Sequence, residues 1–573
     1  MPRRRRHLLS IVAAGAAVAV AAAGLQPGAA QAGKPPKPTK VVIIVVDALS
    51  KEIVDKYDMA NVQGLMADYV DTPKGYLGHT GSVTVVTHNV ITSGLLPKHT
   101  GWTTEGYRDV DHILDNIPPH KPSNAGDNLF ISSDWGKDPI YAVQNYYGYP
   151  KLADYLSQTG TVATISPKVY AAYAFAGDAS DIVITFGSAT CNVPTTGAEP
   201  GHVYGSLRGP TGVGVPSYIS GATCGGRYFV ERNKVYDTGQ LPAVMYPTSD
   251  NRYVVGHTPG HEGGDIWATD AALDVMDNED WSGIFVTLPG VDKAAHMWGG
   301  VNDPESAVAG YDPMTHLAYA ADVADAQVGR IMDKLEADGE LDNTLVVLTA
   351  DHGSVAVHTP PNGTVTDPHF HGTACTVADC GFNNWYYGDV ENDVYLTPQA
   401  ALQPLVATGN VGFSYNDSGI QTWLIDQSLA KKNEAAAIMA QMPDVTAVWR
   451  NDGDHFTLVS PVRYDLMTTK AERQWFDKHA QELVDTQAAP YGPDLIATLP
   501  DNTTYSVAGD HGGIQRAAQE IPIVFAGAGL SDKDVKAPVR SVDIMPTILK
   551  AMGITPTAAM DGVAYPLPLA KTR

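Results

Sequence analysis

Two Asp-His-Gly tripeptides are the most informative residues of this chain for metal chemistry. Asp351-His352-Gly353 follows a short apolar run, and Asp510-His511-Gly512 follows Tyr505-Ser506-Val507. A carboxylate and an imidazole that are adjacent in a turn can face one cation, and the glycine allows a sharp turn beneath them. For either copy alone, the alternative is a pair of hydrogen-bonded turn residues. Their recurrence after strand-like runs predicts that both tripeptides carry metal ligands.

Two further carboxylates follow apolar, strand-like runs. Asp47 comes directly after one such run, and Asp292 lies just past another. Open parallel sheets hold their ligand sites at the carboxyl ends of strands. Asp292 and His296 are four residues apart, so a helix would place both on one face. An Asp after a strand is also a common turn or helix-cap residue, and the metal assignment of Asp47 therefore depends on the other candidates.

The elements that must position these side chains are those of an α/β protein. The run Val41–Val46 is continuous, β-branched and apolar, which is typical of a parallel strand buried on both faces. A helical pattern over Thr315–Leu335 separates two such runs. This alternation predicts an α/β sandwich. The other short apolar runs are Thr161–Ile165, Asp181–Phe186, Gly283–Leu288, Thr344–Thr349 and Ile521–Phe525.

The segment Gly81–Pro97 contains a candidate nucleophile. It ends in Thr-Ser-Gly-Leu-Leu-Pro, and Thr84 stands ten residues before Gly94. The segment resembles the nucleophile helix of the alkaline phosphatase superfamily, in which a Thr, a Ser or a formylglycine-forming Cys stands at that distance from the glycine. With Thr84 as nucleophile, the candidates follow the order of the superfamily: Asp47, Thr84, Asp292, His296, Asp351, His352 and His511.

Within that superfamily, the chain is most similar to the type I phosphodiesterase / nucleotide pyrophosphatase family. The likeness is carried by Val46-Asp47-Ala48, by the pattern Asp-Lys-Ala-Ala-His-x-x-Gly that starts at Asp292, and by Ala324–Arg330. It covers residues 40–186, 263–353 and 491–561. The resemblance implies an α/β fold, an alkaline-phosphatase-like three-layer sandwich with a mostly parallel central sheet and an inserted α/β cap.

The resemblance also implies a site for two divalent metal ions. It assigns the ligands to two groups, Asp292, His296 and His511 for one ion, and Asp47, Thr84, Asp351 and His352 for the other. Mixed carboxylate and imidazole ligands suit Zn²⁺, and ligand type alone leaves manganese open. Thr84, at the start of a helix whose amides favour phosphate, would attack phosphorus and form a phospho-enzyme ester that water then hydrolyses.

The predicted function is a phosphodiesterase or nucleotide pyrophosphatase that acts on a small-molecule phosphate ester or nucleotide. Members of that family usually have Asn three residues after the nucleophile and again some twenty residues after it, where Thr87 and Glu105 stand here. Some monoesterases of the superfamily hold phosphate with Lys-x-Arg, of which Lys168 is retained and Tyr170 replaces the Arg. Glu105 and Lys168 are thus the candidate substrate-binding residues, and an alkaline phosphomonoesterase with the same site is the alternative.

A catalytically inactive extracellular binding protein is a further alternative, although the complete ligand set argues against it. Among the 573 residues, 63 Asp and Glu outnumber 38 Lys and Arg, which argues against binding to a nucleic-acid duplex. Four arginines, Arg3–Arg6, precede an Ala/Val/Leu run and the small-residue sequence Ala30-Gln31-Ala32. This pattern predicts a cleaved signal peptide, used by the Sec or the Tat route, and a secreted protein with no stable membrane anchor.

Export predicts two loop-closing disulfides, Cys191 with Cys224 and Cys375 with Cys380. In the cap, Thr469 and Glu472 stand at capping-box spacing and predict a helix that begins near Lys470. The natural substrate and the oligomeric state stay open at this stage. The predicted organisation is a signal peptide over 1–32, a linker over 33–40, a catalytic core over 41–353 and 491–573 with a loop insertion over 187–261, and an inserted cap over 354–490.

Overall fold

A computed structural model gives the structure of residues 37–115, 117, 129–131, 136–186, 203–207, 215–219, 262–298, 301, 316–355, 388–389, 394–395, 402–505 and 509–570. The signal peptide and the four cysteines lie outside these residues, as does most of the predicted insertion over 187–261. The strands are β1 (Lys40–Val46), β2 (Val70–Asp71), β3 (Gly106–Arg108), β4 (Leu129–Ile131), β5 (Thr161–Ile165), β6 (Ile182–Phe186), β7 (Val203–Leu207), β8 (Trp281–Leu288), β9 (Thr344–Thr349), β10 (Gly388–Asp389), β11 (Val394–Tyr395), β12 (Val411–Asn416), β13 (Gly419–Leu424), β14 (Ala447–Asn451), β15 (Phe456–Leu458), β16 (Leu495–Thr498) and β17 (Ile523–Gly527).

The helices are α1 (Lys51–Lys56), α2 (Ala60–Asp68), α3 (Thr84–Ser93), α4 (Pro97–Thr100), α5 (Lys137–Tyr147), α6 (Leu152–Leu156), α7 (Val169–Ala176), α8 (Glu262–Asn278), α9 (Gly290–Trp298), α10 (His316–Ala337), α11 (Gln403–Val406), α12 (Leu429–Met439), α13 (Lys470–Val484), α14 (Arg516–Gln519) and α15 (Ile544–Met552). Short 3₁₀ helices cover Leu341–Asn343, Asp485–Gln487 and Ser541–Asp543. Within the described part of the chain, every helix is too short or too polar to span a bilayer.

The central sheet has eight strands in the order β2-β17-β9-β1-β8-β5-β6-β7. The five strands from β9 to β6 are parallel, whereas β17, β2 and β7 extend the sheet with antiparallel pairings. Strand β1 lies between β8 and β9, and all residues of Val41–Val46 are fully buried. Burial on both faces explains the continuous apolar run, and the predicted mostly parallel α/β sheet is confirmed.

Helices pack in two groups around this sheet. One group contains α3, α5 and α7, and the other contains α2, α8, α9 and α10. The predicted helix over Thr315–Leu335 is α10, which begins one residue later and ends two residues later. Together with the sheet, the helices form the α/β sandwich that the sequence predicts.

A second sheet is formed by later residues. It is antiparallel, with the order β12-β13-β16-β14-β15, and α12 packs on β14. Strand β16 (Leu495–Thr498) belongs to this sheet although it lies past residue 490, where the sequence places the end of the cap. The capping box before α13 is present, because Thr469 Oγ1 accepts a hydrogen bond from the Glu472 amide and Glu472 Oε2 accepts one from the Thr469 amide.

Candidate metal site and nucleophile

Four neighbouring strands of the central sheet deliver side chains to one edge. Asp351 follows β9, Asp47 follows β1, Asp292 lies in the first turn of α9 after β8, and Lys168 follows β5. The carboxyl ends of parallel strands meet at the same edge, which brings residues together that are far apart in the chain. All four side chains are at most 2% exposed. The sheet therefore concentrates three carboxylates and one ammonium group in a buried site.

Thr84 begins helix α3, as the sequence predicts. Val83 precedes it in an extended conformation and makes no side-chain capping bond, so the first turn of α3 has no side-chain cap. Helix α3 ends at Gly94, which is left-handed with φ of 66°. Before the helix, a Cβ on Gly81 would lie 1.8 Å from the Thr103 carbonyl oxygen. Only glycine therefore lets the backbone before Thr84 pass so close to Thr103.

The site contains two groups of metal-ligating atoms. One consists of Asp47, Asp351 and His352, and the other of Asp292, His352 and His511, with the ligand atoms of each group within 4.8 Å of one another. His352 Nε2 lies 3.4 Å from Asp47 Oδ1 and 3.5 Å from Asp351 Oδ2. The rings of His352 and His511 stack with their centroids 3.4 Å apart, and His511 Nε2 lies 3.7 Å from Asp292 Oδ1.

The imidazoles are oriented as metal ligands should be. His352 Nδ1 lies 3.0 Å from the Gly353 carbonyl oxygen, and His511 Nδ1 lies 3.0 Å from the Ser82 carbonyl oxygen. Because a carbonyl can only accept, each Nδ1 carries the proton and each Nε2 directs its lone pair toward the carboxylates. Asp47 Oδ1 and Asp351 Oδ2 are buried and accept no hydrogen bond. This donor set fits two divalent cations.

The negative charges of the carboxylates in the site repel one another. Burial raises the pKa of Asp47 well above its usual value, and the negative charges of Asp292 and Asp351 raise it further. Burial likewise raises the pKa of Asp351 to about 7. Positive charge placed among these carboxylates would offset the electrostatic cost of ionising them in a buried site. This is a second reason why the residues fit divalent cations.

The structure groups the predicted ligands differently from the sequence. His352 takes part in both groups, whereas the sequence assigns it to one. Helix α9 contains both Asp292 and His296, but the His296 side chain lies outside the described residues. His511 lies between β16 and α14, and most of the run Tyr505-Ser506-Val507 that the sequence places before it lies outside the described residues.

Lys168 lies among the carboxylates. Its Nζ is 2.5 Å from Asp47 Oδ2, 2.7 Å from Asp292 Oδ2 and 3.4 Å from Thr84 Oγ1. Burial acts to lower the pKa of Lys168, but the charges of Asp292 and Asp47 outweigh it and hold the pKa well above the usual value. The side chain is therefore an ammonium ion beside the Thr84 hydroxyl.

Glu105, the other predicted substrate-binding residue, is connected to the second sheet. Its Oε2 accepts a hydrogen bond of 2.9 Å from the hydroxyl of Tyr415 on β12. Burial raises the pKa of Tyr415, and the neighbouring charge of Glu105 raises it further, so the phenol stays protonated and donates. Thr87 stands three residues after Thr84, where members of the family usually have Asn, and its Oγ1 lies 3.4 Å from His79 Nε2.

Two buried residues that sequence reasoning missed support the site. His88 Nδ1 lies 2.7 Å from the Thr84 carbonyl oxygen and 3.6 Å from Asp351 Oδ2, and its Nε2 lies 2.9 Å from Thr287 Oγ1. Asp265 Oδ1 accepts a hydrogen bond of 2.8 Å from the Gly290 amide at the start of α9. The sequence signals His88 only by its place one helical turn after the nucleophile, and it carries no signal for Asp265.

Comparison with known proteins gives a family and a fold. The sequence profile of a family described as "Type I phosphodiesterase / nucleotide pyrophosphatase" matches residues 41–374, more than half of the chain. No curated protein sequence matches the chain. The family match confirms the resemblance that the sequence motifs predict.

Solved structures share the fold at low sequence identity. The wild-type alkaline phosphatase PafA is 14% identical, with a TM-score of 0.57 over 91% of this chain and 97% of that one. A PafA mutant gives 13% identity and a TM-score of 0.56 over the same shares of the two chains. Human ectonucleotide pyrophosphatase / phosphodiesterase 5 is 10% identical, with a TM-score of 0.46 over 91% of this chain and 97% of that one. The PafA structures confirm the alkaline-phosphatase-like fold.

Proposed function

Since the chain belongs to the type I phosphodiesterase / nucleotide pyrophosphatase family, we propose that it is an exported, metal-dependent hydrolase with Thr84 as its nucleophile. Membership of this family confirms the predicted enzyme class, a hydrolase of phosphoric esters. The observation that carries the finer proposal is the convergence of three elements. The Thr84 hydroxyl, an uncapped helix start and two groups of metal-ligating atoms meet in one buried site.

The residues that would hold two divalent cations, which we propose to be Zn²⁺, are Asp47, Asp351 and His352 on one side and Asp292 and His511 on the other. His352 Nε2 has a single lone pair and would therefore ligate one cation only. His296 joins the second group by its family position alone. When bound, such cations supply positive charge that stabilises the attacking and leaving oxygens of an in-line phosphoryl displacement.

The chain's own residues perform the bond-making step. Thr84 Oγ1 attacks phosphorus, an Oγ1–P bond forms, and the ester bond to the leaving alcohol breaks. The backbone amides and dipole of the first turn of α3 favour the negative charge of the transferred group. Water then cleaves the phospho-threonine ester and restores Thr84. Throughout, the bond from His88 to the Thr84 carbonyl holds the start of the helix in place.

Lys168 supports a second candidate, an alkaline phosphomonoesterase with the same site. Its ammonium lies 3.4 Å from Thr84 Oγ1, where the oxygens of a bound phosphoryl group would come close. A monoester carries one more negative charge than a diester and gains more from a nearby ammonium ion. The Glu105 carboxylate acts in the opposite sense if it faces the same oxygens. The proposed substrate is in either case a small-molecule phosphate ester or nucleotide.

A pair of chromogenic substrates tests these alternatives. Mature protein is assayed with nitrophenyl phosphate and with bis-nitrophenyl phosphate, in zinc and in chelator, and activity is restored by adding zinc back. Faster, chelator-sensitive cleavage of the diester supports the phosphodiesterase, and a preference for the monoester supports the alternative. Equal rates in zinc and in chelator would contradict metal dependence in both.

Export rests on residues 1–32, which lie outside the described part of the chain. A basic cluster, an apolar run and a small-residue cleavage site together favour secretion. Mass spectrometry of the exported protein should give a mature chain that begins at Gly33. Recovery of the uncleaved chain in the membrane fraction would contradict the proposed secretion.

A further inference from the structure

The Lys168 ammonium bridges the two groups of metal-ligating residues. Asp47 belongs to one group and Asp292 to the other, and Lys168 Nζ lies within 2.7 Å of an oxygen of each. The two ion pairs are deep inside the protein, since Lys168 is 2% exposed, Asp292 1% and Asp47 not exposed at all. One cation of the protein itself therefore lies against two carboxylates, one from each metal-ligating group.

A buried charge cluster of this kind has to be balanced. Asp47, Asp292 and Asp351 place three carboxyl groups in a region from which water is excluded, where an unpaired negative charge is costly. Lys168 offsets part of that charge. A divalent cation that binds Asp47 or Asp292 competes with the ammonium for the same carboxylates, because like charges in one buried site repel each other.

The position of Lys168 in the fold allows the ammonium to move while its backbone stays fixed. Lys168 is the residue before α7 and has an extended backbone, with φ of −88° and ψ of 118°. Its amide donates to Ser166 Oγ at 3.3 Å, which anchors the main chain at the end of β5. The four-carbon stem between this anchor and Nζ has freely rotatable bonds.

We propose that Lys168 is an internal counter-ion that competes with divalent cations for Asp47 and Asp292. It balances the buried carboxylates when no such cation is bound, and it leaves them when the cations bind. This inference rests on the metal site of the proposed function. It has two consequences of opposite sign, because Lys168 stabilises the chelated protein and weakens the affinity for zinc.

Replacement of Lys168 by the neutral Met, which keeps a similar length, separates these consequences. In chelator, Lys168→Met leaves the carboxylates without their counter-charge, so its unfolding midpoint falls by several degrees relative to wild type. In saturating zinc, the cations balance the carboxylates and the difference shrinks. Zinc affinity, measured against a chromophoric chelator, rises about tenfold or more because the competitor has been removed.

The chain offers a matched control in Lys151. This lysine is also 2% exposed, and its Nζ donates to Asn89 Oδ1 and to the Ala174 carbonyl oxygen, away from the carboxylates of the site. Lys151→Met should lose equal stability in chelator and in zinc and should keep the wild-type zinc affinity. Lys168→Gln serves for the same comparisons if the methionine variant does not fold.

The outcomes separate the two levels of the proposal. If wild type binds zinc but Lys168→Met is as stable in chelator as wild type, or binds zinc no more tightly, the counter-ion role is overturned. Failure of the proposed function looks different, because wild type then binds no zinc and the stability loss of Lys168→Met persists in zinc buffer. That second result overturns both the metal site and the competition.

Discussion

The imidazole of His352 lies beside both groups of metal-ligating atoms, but its Nε2 has one lone pair and can ligate only one cation. We expect His352→Ala and His511→Ala each to weaken one metal position. Metal analysis of dialysed, folded protein should find less metal in each variant than in wild type. His455, which is exposed and pairs with Asp454, provides a control whose replacement by Ala leaves the metal content unchanged. Two equivalents of metal in dialysed His352→Ala would contradict the assignment of His352 as a metal ligand.

His88 acts on the reaction through another residue. Its hydrogen bond to the Thr84 carbonyl fixes the first turn of α3, and its other nitrogen is held by Thr287. His88→Ala should lower kcat about 10- to 100-fold, as outer-shell partners commonly do, with KM and metal content near wild type. His88→Asn, which retains a side-chain donor, should recover part of kcat. A change in KM alone, or full activity of His88→Ala, would contradict a positioning role.

At the scale of elements, the sequence predicts strands well where burial dictates composition. Strands β5 and β9 match the predicted runs at both ends because central parallel strands are buried and rich in apolar and β-branched residues. The last run of the sheet is less predictable. Strand β17 is antiparallel to β9, because the chain enters it at the edge where the parallel strands end. It starts at Ile523 rather than at the predicted Ile521. Strand direction depends on where the preceding loop lies, which composition does not encode.

The candidate site is predictable to the extent that its residues have motifs. Asp47, Thr84, Asp351, His352 and His511 all lie in the one buried site. Asp47 and Asp351 reach it because they follow parallel strands that end at the same edge. The bridging position of Lys168 and the support from Asp265 are contacts between distant elements. Side-chain direction and tertiary packing decide such contacts, and one sequence carries no local signal for them.

The carboxyl group of Asp501 lies in the turn after β16, near the start of helix α13. Burial, and then the charge of Glu472, raise the pKa of Asp501 from 3.8 to about 6. The folded protein therefore holds this proton more tightly than the unfolded chain. The stabilising contribution of the protonated group is fully present below pH 3.8 and is lost as the pH rises to about 6.

Asp501→Asn should remove the loss of stability that accompanies ionisation of Asp501. The variant is expected to raise the free energy of unfolding by about 1 to 3 kcal/mol at pH 8, with little change near pH 4. Denaturant unfolding of wild type and variant at the two pH values measures the difference. The exposed pair partner Asp454 offers a control, Asp454→Asn, for which no such gain at pH 8 is expected. An equal gain at both pH values would contradict the titration of Asp501.

At the scale of the whole molecule, two sheets contribute to one reaction centre. The central sheet supplies the carboxylates and Lys168, helix α3 supplies Thr84, and the second sheet reaches Glu105 through Tyr415. The loop between β16 and α14 adds His511. Residues from across the sequence thus meet around the one bond that we propose the protein forms, between Thr84 Oγ1 and phosphorus.

Turnover by Thr84→Ala beside a helix control tests that central claim most directly. Thr92 lies on the same helix, is fully buried and donates to the Phe175 carbonyl oxygen, so Thr92→Val controls for disturbance of α3. With the better of the two nitrophenyl esters in zinc, we predict that Thr84→Ala keeps its fold and most of its metal but loses turnover, whereas folded Thr92→Val remains active. Wild-type turnover by Thr84→Ala would contradict the assignment of Thr84 as the nucleophile.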